Sequence, residues 1–308
     1  MKDDAMAQAH LVWAVGIAAL FFTTSAKAED TTKLDMKLET ITLSNPACEA
    51  VISVRPFVHL ISFRLSGGKN HLINAESPNP LHNGQPMRPF FLLGAKLWYA
   101  PEVPGSHLLG LLSGKVTNQG GDVDARLDPD PASGLQGRIH FHLDEHEPRL
   151  TIESALRNVG SAEKETSCWW PVSFEPGGRM EAAPIPLPDN PAYSFHFWTY
   201  GGPASDPACQ IGKDKVVLDL DRPLQAPVYK IGFLGREILV IKSDCTYRLT
   251  ALDPVPSPEL KYSHGGSPVM LFRDQKTLFC EAELSGPLAK LKPGEETAFT
   301  FSIALEKP

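Results

Sequence analysis

Gly137-Arg138-Ile139-His140-Phe141-His142-Leu143 and Leu150-Thr151-Ile152-Glu153-Ser154-Ala155-Leu156 decide the fold. In the first, Ile139, Phe141 and Leu143 fall on one side of an extended chain, and Arg138, His140 and His142 on the other. A period of two is the signature of a strand with one buried face, because successive side chains point to opposite sides. The second stretch repeats the pattern after a polar connection, residues 144–149. Similar runs occur at Leu38–Leu43, Glu49–Val54, His59–Leu65, Val216–Leu220, Glu237–Ile241, Thr246–Leu252, Thr277–Leu284 and Thr297–Leu305. Gly, Pro, Asn and Asp bound them, and Ser66-Gly67-Gly68-Lys69 reads as a hairpin turn between two of them. Short strands at this spacing predict an all-β sandwich or barrel. After the N-terminal segment, no window carries the i, i+3, i+4, i+7 apolar spacing of a long helix.

The composition agrees. Of 308 residues, 28 are proline, about 9% against an ordinary 5% or so. Proline removes a donor and breaks helices, so strands joined by turns are favoured. Proline-rich stretches at Ser77–Pro89, Asp128–Pro131, Pro184–Pro191 and Asp253–Pro258 predict long loops. The net charge is −7 and Lys and Arg are scattered singly. That excludes a nucleic-acid binder, which needs clustered cations to displace phosphate counterions.

Leu11–Phe22 is an uncharged apolar run followed by Ala26-Lys27-Ala28. It is too short to span a membrane, and Ala-x-Ala suits signal peptidase, so residues 1–28 read as a signal peptide and 29–308 as one mature domain. No cysteine follows the cleavage site to carry a lipid, and no later apolar run is long enough for a span, so no membrane anchor is expected after cleavage. A periplasmic or secreted destination follows from this reading. All five cysteines lie in the mature part; they read as small buried residues with one or two bridges among them.

Three features carry chemistry. His140 and His142, at i and i+2 on a strand, can chelate one metal, with His146 or Glu147 adding a ligand. Gly134, His140, His142 and Glu147 fit the first cupin-type spacing, but Ser154 stands where its next glycine belongs and no second motif follows. An outward polar face gives the same pattern. Aromatic residues cluster at Trp98-Tyr99, Cys168-Trp169-Trp170-Pro171 and Tyr193–Tyr200. Flat rings flanked by polar groups suit sugars, whose C–H faces are apolar and whose rims carry hydroxyls, although strand aromatics also build cores. Glu281 and Glu283 share a face of one strand, and paired carboxylates can split their pKa values into an acid and a base. No G-x-S-x-G, P-loop or dinucleotide fingerprint occurs.

Taken in order, several segments resemble the galactose-mutarotase-like superfamily, and within it the DUF4380 family. Gly94-Ala95-Lys96-Leu97-Trp98-Tyr99-Ala100-Pro101-Glu102 is similar to that family's GGhKLWpAPe motif. Leu60–Asn70 resembles its opening strand and turn, with Pro56–His59 where Gly-Gly-Arg is usual. Leu150–Gly160, Trp170-Pro171-Val172-Ser173, Glu281–Leu288 and Leu291–Glu295 resemble later segments, so the likeness spans about residues 50–300.

The resemblance implies a β-supersandwich of antiparallel sheets packed face to face, with a sugar-sized groove on one face. Its catalytic members interconvert sugar anomers: a carboxylate takes the C1 hydroxyl proton while a histidine protonates the ring oxygen. Glu281 lies at the position of that carboxylate. The acid histidine is expected near Trp169–Pro171, where this chain has none; His196 and His264 are the histidines available to replace it. Lys96, Trp98, Trp170, His264 and Glu283 are the expected substrate-binding residues. The leading expectation is therefore an exported carbohydrate-binding or carbohydrate-modifying protein, aldose-1-epimerase-like if it is enzymatic, with a mono- or oligosaccharide partner and neither cofactor nor metal. A free Glu281 would serve as a base; one held in an ion pair with Lys96 would serve binding only. Two other readings stand beside it: a metal-dependent cupin-like barrel enzyme using His140 and His142, and a non-catalytic accessory domain in envelope polysaccharide handling.

Overall fold

Alternation translates directly into architecture. In the Leu135–Leu143 strand every second side chain is buried, and Ile139 and Phe141 are fully so. The computed structural model describes residues 38–74, 77, 81–82, 85–86, 93–186, 195–198, 205–212, 214–275 and 278–308. Residues 1–28 lie outside the described residues, as do most of 77–89 and 187–194, so the signal segment and two of the expected long loops do too.

Strands dominate and all strand pairs are antiparallel among the described residues. A ten-stranded sheet includes Glu237–Ile241, Thr246–Asp253, Glu296–Glu306, Arg149–Asn158, Leu135–Leu143, Asp122–Leu127 and Gly114–Gln119, neighbours in that order, with Gly114–Gln119 on its edge. Opposite it, a seven-stranded sheet runs Phe195–Trp198, Val228–Phe233, Val269–Asp274, Phe279–Ser285 and Lys164–Phe174, with Ala289–Leu291 and Trp98–Ala100 both pairing along the last. Glu39–Ser44, Cys48–Arg55 and His59–Leu65 form a third, smaller sheet, tied to the second where Ala95 bridges both Leu60 and Val172.

The two large sheets meet across one apolar core. Trp170 packs against Phe301 at 5.2 Å and Phe141 at 6.5 Å, and its Nε1 donates to Ser154 Oγ at 2.9 Å. Phe174 meets Tyr247 at 5.1 Å, again joining one sheet to the other. A smaller cluster of Phe57, Ile61, Leu93, Trp98, Trp169, Met270 and Phe279 covers the opposite face of the seven-stranded sheet.

Three expectations need correction. Ser66–Lys69 does make a turn, with Gly67 at φ 74° and Gly68 N donating to Leu65 O, but it is not a hairpin turn. The chain leaves it to bridge Phe174 through Leu72 instead of folding back on His59–Leu65. The five cysteines form no bridge: all are free thiols, four buried and Cys209 half-buried. Burial pushes the Cys48 and Cys168 thiols up, to about 11 and about 12, which leaves them unreactive. The cupin-like barrel is overturned by the open sheets themselves, and His140 and His142 face outward from the ten-stranded sheet.

Candidate functional site

The Phe279–Ser285 strand divides its residues between two environments. Cys280, Ala282 and Leu284 enter the core, while Glu281 and Glu283 point to the other face. Strand pairing then dictates their neighbours, because directly opposed residues share a face. Ser173 is opposite Glu281, Pro171 opposite Glu283 and Trp169 opposite Ser285. On the other flank come Phe272 and Met270, then Lys230 and Gly232, then Trp198 and His196 on the outermost strand. Lys96 and Trp98, two apart, join from the far side through the Ala95 bridge and the short Trp98–Ala100 strand. His264 rides on the turn Ser263–Gly266, with an unusual left-handed φ of 52°. Gly265 behind it must stay small: a Cβ there would fall 2.4 Å from His196 Nδ1.

The charges are buried and interlocked. Lys96 is wholly buried and its Nζ donates to Glu281 Oε1 at 2.8 Å and to Ser173 Oγ, which itself donates to Glu281 Oε1 at 2.7 Å. Burial draws the Lys96 ammonium below its ordinary range, although Glu281 works against the shift. Glu283 Oε2 accepts from Lys230 Nζ at 2.9 Å and Trp169 Nε1 at 2.8 Å. Its other oxygen, Oε1, accepts no hydrogen bond among the described residues. Burial raises the Glu283 carboxyl to about 7, with Glu281 adding to the rise and Lys230 opposing it. The cations also lie over rings: Lys96 Nζ is 5.2 Å from the Trp98 centroid, and Lys230 Nζ is 5.0 Å from those of both Trp169 and Trp198.

The histidines sit at the outer side of this face. His264 packs 4.6 Å from Trp169, its Nδ1 meets Ser263 Oγ at 2.9 Å, and its buried Nε2 has no partner among the described residues. Burial, with Lys230 nearby, pushes its imidazole down to about 2, so it is neutral at physiological pH. His196 is exposed and edges onto Trp198 at 4.2 Å; burial of part of the ring and Lys230 lower it as well.

Six of the seven residues singled out from sequence therefore share one face: Lys96, Trp98, His196, His264, Glu281 and Glu283. Trp170 does not. It points between the sheets, fully buried, and its neighbour Trp169 takes its place on the site face. Sequence reasoning missed Ser173 and Lys230 as site residues, and held Trp198 only as one of the aromatics of Tyr193–Tyr200. A single lysine inside Val-Tyr-Lys-Ile-Gly-Phe was the available signal for Lys230, since a cation is buried in a strand only where a partner receives it.

Of the two carboxylates, Glu281 is held by a cation and a hydroxyl, whereas Glu283 has a buried oxygen that accepts no hydrogen bond among the described residues and titrates near neutrality. Trp198, half-buried, is the tryptophan of this face that an apolar ring plane can reach, and the buried Lys230 lies over its ring, paired with the buried Glu283.

No family model matches the chain, and no curated protein matches it. Solved structures do. A galactose mutarotase-like protein from Lactobacillus casei ATCC 334 aligns with a TM-score of 0.61 at 11% identity, over 87% of this chain and 100% of that one. A candidate aldose 1-epimerase from Escherichia coli K12 gives 0.57 at 13% identity, over 88% and 100%. A candidate mutarotase from Salmonella typhimurium gives 0.51 at 14% identity, over 95% and 100%. At such identities the likeness concerns architecture alone, and the fold of this chain is the mutarotase-like β-sandwich.

Proposed function

We propose that this chain is an exported carbohydrate-binding protein of the DUF4380 branch of mutarotase-like proteins, and that it takes a pyranose against the half-buried Trp198 with hydroxyls on Glu283 and Lys230. The observation that carries the reading is Glu283. It is a buried carboxylate with one oxygen fixed by Lys230 and Trp169 and the other unpartnered among the described residues, beside tryptophan platforms. An unpaired buried acceptor costs about 1–3 kcal/mol, which a sugar hydroxyl would recover. The mutarotase-like solved structures support the same substrate class.

A thermal-shift screen against mono- and oligosaccharides tests it. A ligand at a hundred times its Kd adds about 2.7 kcal/mol, readily visible as a raised midpoint. Trp198→Ala, which removes a half-buried platform, should abolish most of that shift. If no sugar at tens of millimolar moves the wild-type midpoint, the reading fails.

A second reading, anomer interconversion, is favoured by the Glu283 carboxyl near neutrality, where a general base works best. Glu283, not the ion-paired Glu281, would then take the C1 proton. The neutral His264 is a poor acid, so ring-oxygen protonation is the weak step of this mechanism. Polarimetry decides: Glu283→Gln should remove catalysed mutarotation while retaining sugar-induced stabilisation, and a wild type that gives no acceleration leaves a binding protein.

Export is part of the proposal and rests on the apolar run and Ala26-Lys27-Ala28. N-terminal sequencing of protein from the periplasm or medium should begin near Glu29, and retention of residues 1–28 would refute it.

A further inference from the structure

The outward face of the ten-stranded sheet carries a second group of chemistry-bearing side chains, far in topology from the aromatic face. The Asp122–Leu127 strand pairs with Leu135–Leu143 in a register that sets Asp122 opposite His142 and Asp124 opposite His140. All four therefore share the outer face. His142 Nδ1 lies 2.6 Å from Asp122 Oδ1, and His140 Nε2 lies 4.0 Å from the same oxygen. The two imidazoles are nearly parallel, 7° apart, with centroids at 6.5 Å. One donor atom from each of Asp122, His140 and His142 falls within 4.8 Å of the other two.

Asp124 completes the group differently. Its Oδ1 accepts from His140 Nδ1 at 2.9 Å. That hydrogen bond places the proton on Nδ1 and leaves the Nε2 lone pair facing Asp122. A carboxylate behind an imidazole is the usual device that orients a metal-binding histidine and raises its basicity.

We infer that Asp122, His140 and His142 form a binding site for a divalent transition cation of the zinc type, with Asp124 as the residue that positions His140. Two imidazoles and one carboxylate suit zinc, whereas calcium and magnesium prefer all-oxygen shells. Zinc bonds of about 2.0–2.2 Å in a tetrahedron place ligand atoms roughly 3.3 Å apart, a spacing that lies between the separations found here and needs only side-chain rotation. The cation would replace the hydrogen bond between Asp122 and His142, the His142 ring taking its other neutral tautomer, and water would complete the shell. The histidine side chains are 25% and 50% exposed, so a hydrated ion can reach them without opening the core. Neighbours on this face are Arg138, two residues along the strand, and Glu153, opposite His140 on the other flank. The sequence pattern His-x-His was visible by itself; the two aspartates that make it a donor set come from a neighbouring strand. The site stands apart from the proposed sugar face and supplies no step to it.

Isothermal titration of zinc chloride into the EDTA-treated, dialysed protein tests the inference. One equivalent should bind. His140→Ala/His142→Ala should lose it, and His142→Gln should weaken it, with far-ultraviolet circular dichroism unchanged because these side chains face solvent. Asp124→Ala should retain one equivalent at roughly tenfold to hundredfold weaker affinity, as expected of a positioning carboxylate. A second donor cluster among the described residues, His71, Asp244 and Cys245, provides the internal control. Uptake that persists unchanged in the double histidine variant places zinc there and overturns the inference, as does an absence of uptake by the wild type.

Discussion

Acidification should destabilise the protein in two stages: a shallow decline between pH 6.5 and 4.5, then a loss of roughly 2–3 kcal/mol per pH unit between 4.5 and 3. The steep stage comes from histidines that the fold keeps neutral. His59 is fully buried, with Nε2 donating to the Gly110 carbonyl at 2.8 Å, and burial together with Lys96 pushes its imidazole down to about 3. His264 is pushed down to about 2. In the unfolded chain both take up a proton near pH 6.5, so below that pH the unfolded state binds more protons and stability falls as pH falls. Each such group contributes about 1.4 kcal/mol per pH unit until its folded pKa is reached. Glu283 works in the opposite sense. Its folded carboxyl titrates at about 7 against an ordinary 4.5, so the native state takes up its proton first and gains stability as pH falls through that window. Below about pH 4.5 the unfolded chain's glutamate takes up its proton as well, the compensation from Glu283 ends, and the slope steepens. Urea midpoints measured from pH 8 to 3 should trace this curve. His59→Gln, which keeps an amide donor for Gly110 but cannot titrate, should remove about half of the steep slope. A midpoint that is level between pH 4.5 and 3, or a variant as acid-sensitive as the wild type, contradicts the assignment.

The second large effect concerns the ion pair under the site. Lys96→Met should cost about 3–5 kcal/mol, because it leaves the Glu281 carboxylate buried without its cation. The loss belongs to the orphaned charge more than to the pair. Adding Glu281→Gln to Lys96→Met should therefore recover most of the stability, since Ser173 can still hydrogen-bond an amide there. Denaturant titration of the two single variants and the double variant closes the cycle. Additive losses, or a Lys96→Met cost below about 1 kcal/mol, would mean that the pair is not coupled as its 2.8 Å separation indicates.

The strands were legible because alternation is enforced by burial on one side only. His59–Leu65 and Glu237–Ile241 were read to their ends, and Arg149–Asn158 exceeds its reading by a few residues. Trp169 and Trp170 failed for the converse reason. Two adjacent tryptophans give alternation no sign, and only the partner strand tells that Trp170 meets Phe301 while Trp169 meets Glu283. The common face of Glu281 and Glu283 followed from spacing. Which of them stays open did not, because the two lysines that decide it lie 185 and 53 residues away in sequence. The cysteines misled because an even or odd count says nothing about distance: Cys168 and Cys280 are core residues of the seven-stranded sheet that form no bridge. The hairpin reading of Ser66–Lys69 erred on what followed the turn, which local glycine chemistry does not encode.

The division of the Phe279–Ser285 strand into two sets of positions has an evolutionary consequence. Residues 280, 282 and 284 answer to the core, and 281, 283 and 285 answer to whatever the outer face meets. Selection can thus rewrite ligand preference through one subset while the other preserves the architecture. The same segregation makes the strand intolerant of frame errors: a single inserted or deleted residue would drive both glutamates between the sheets, so homologues should vary here by replacement and not by length.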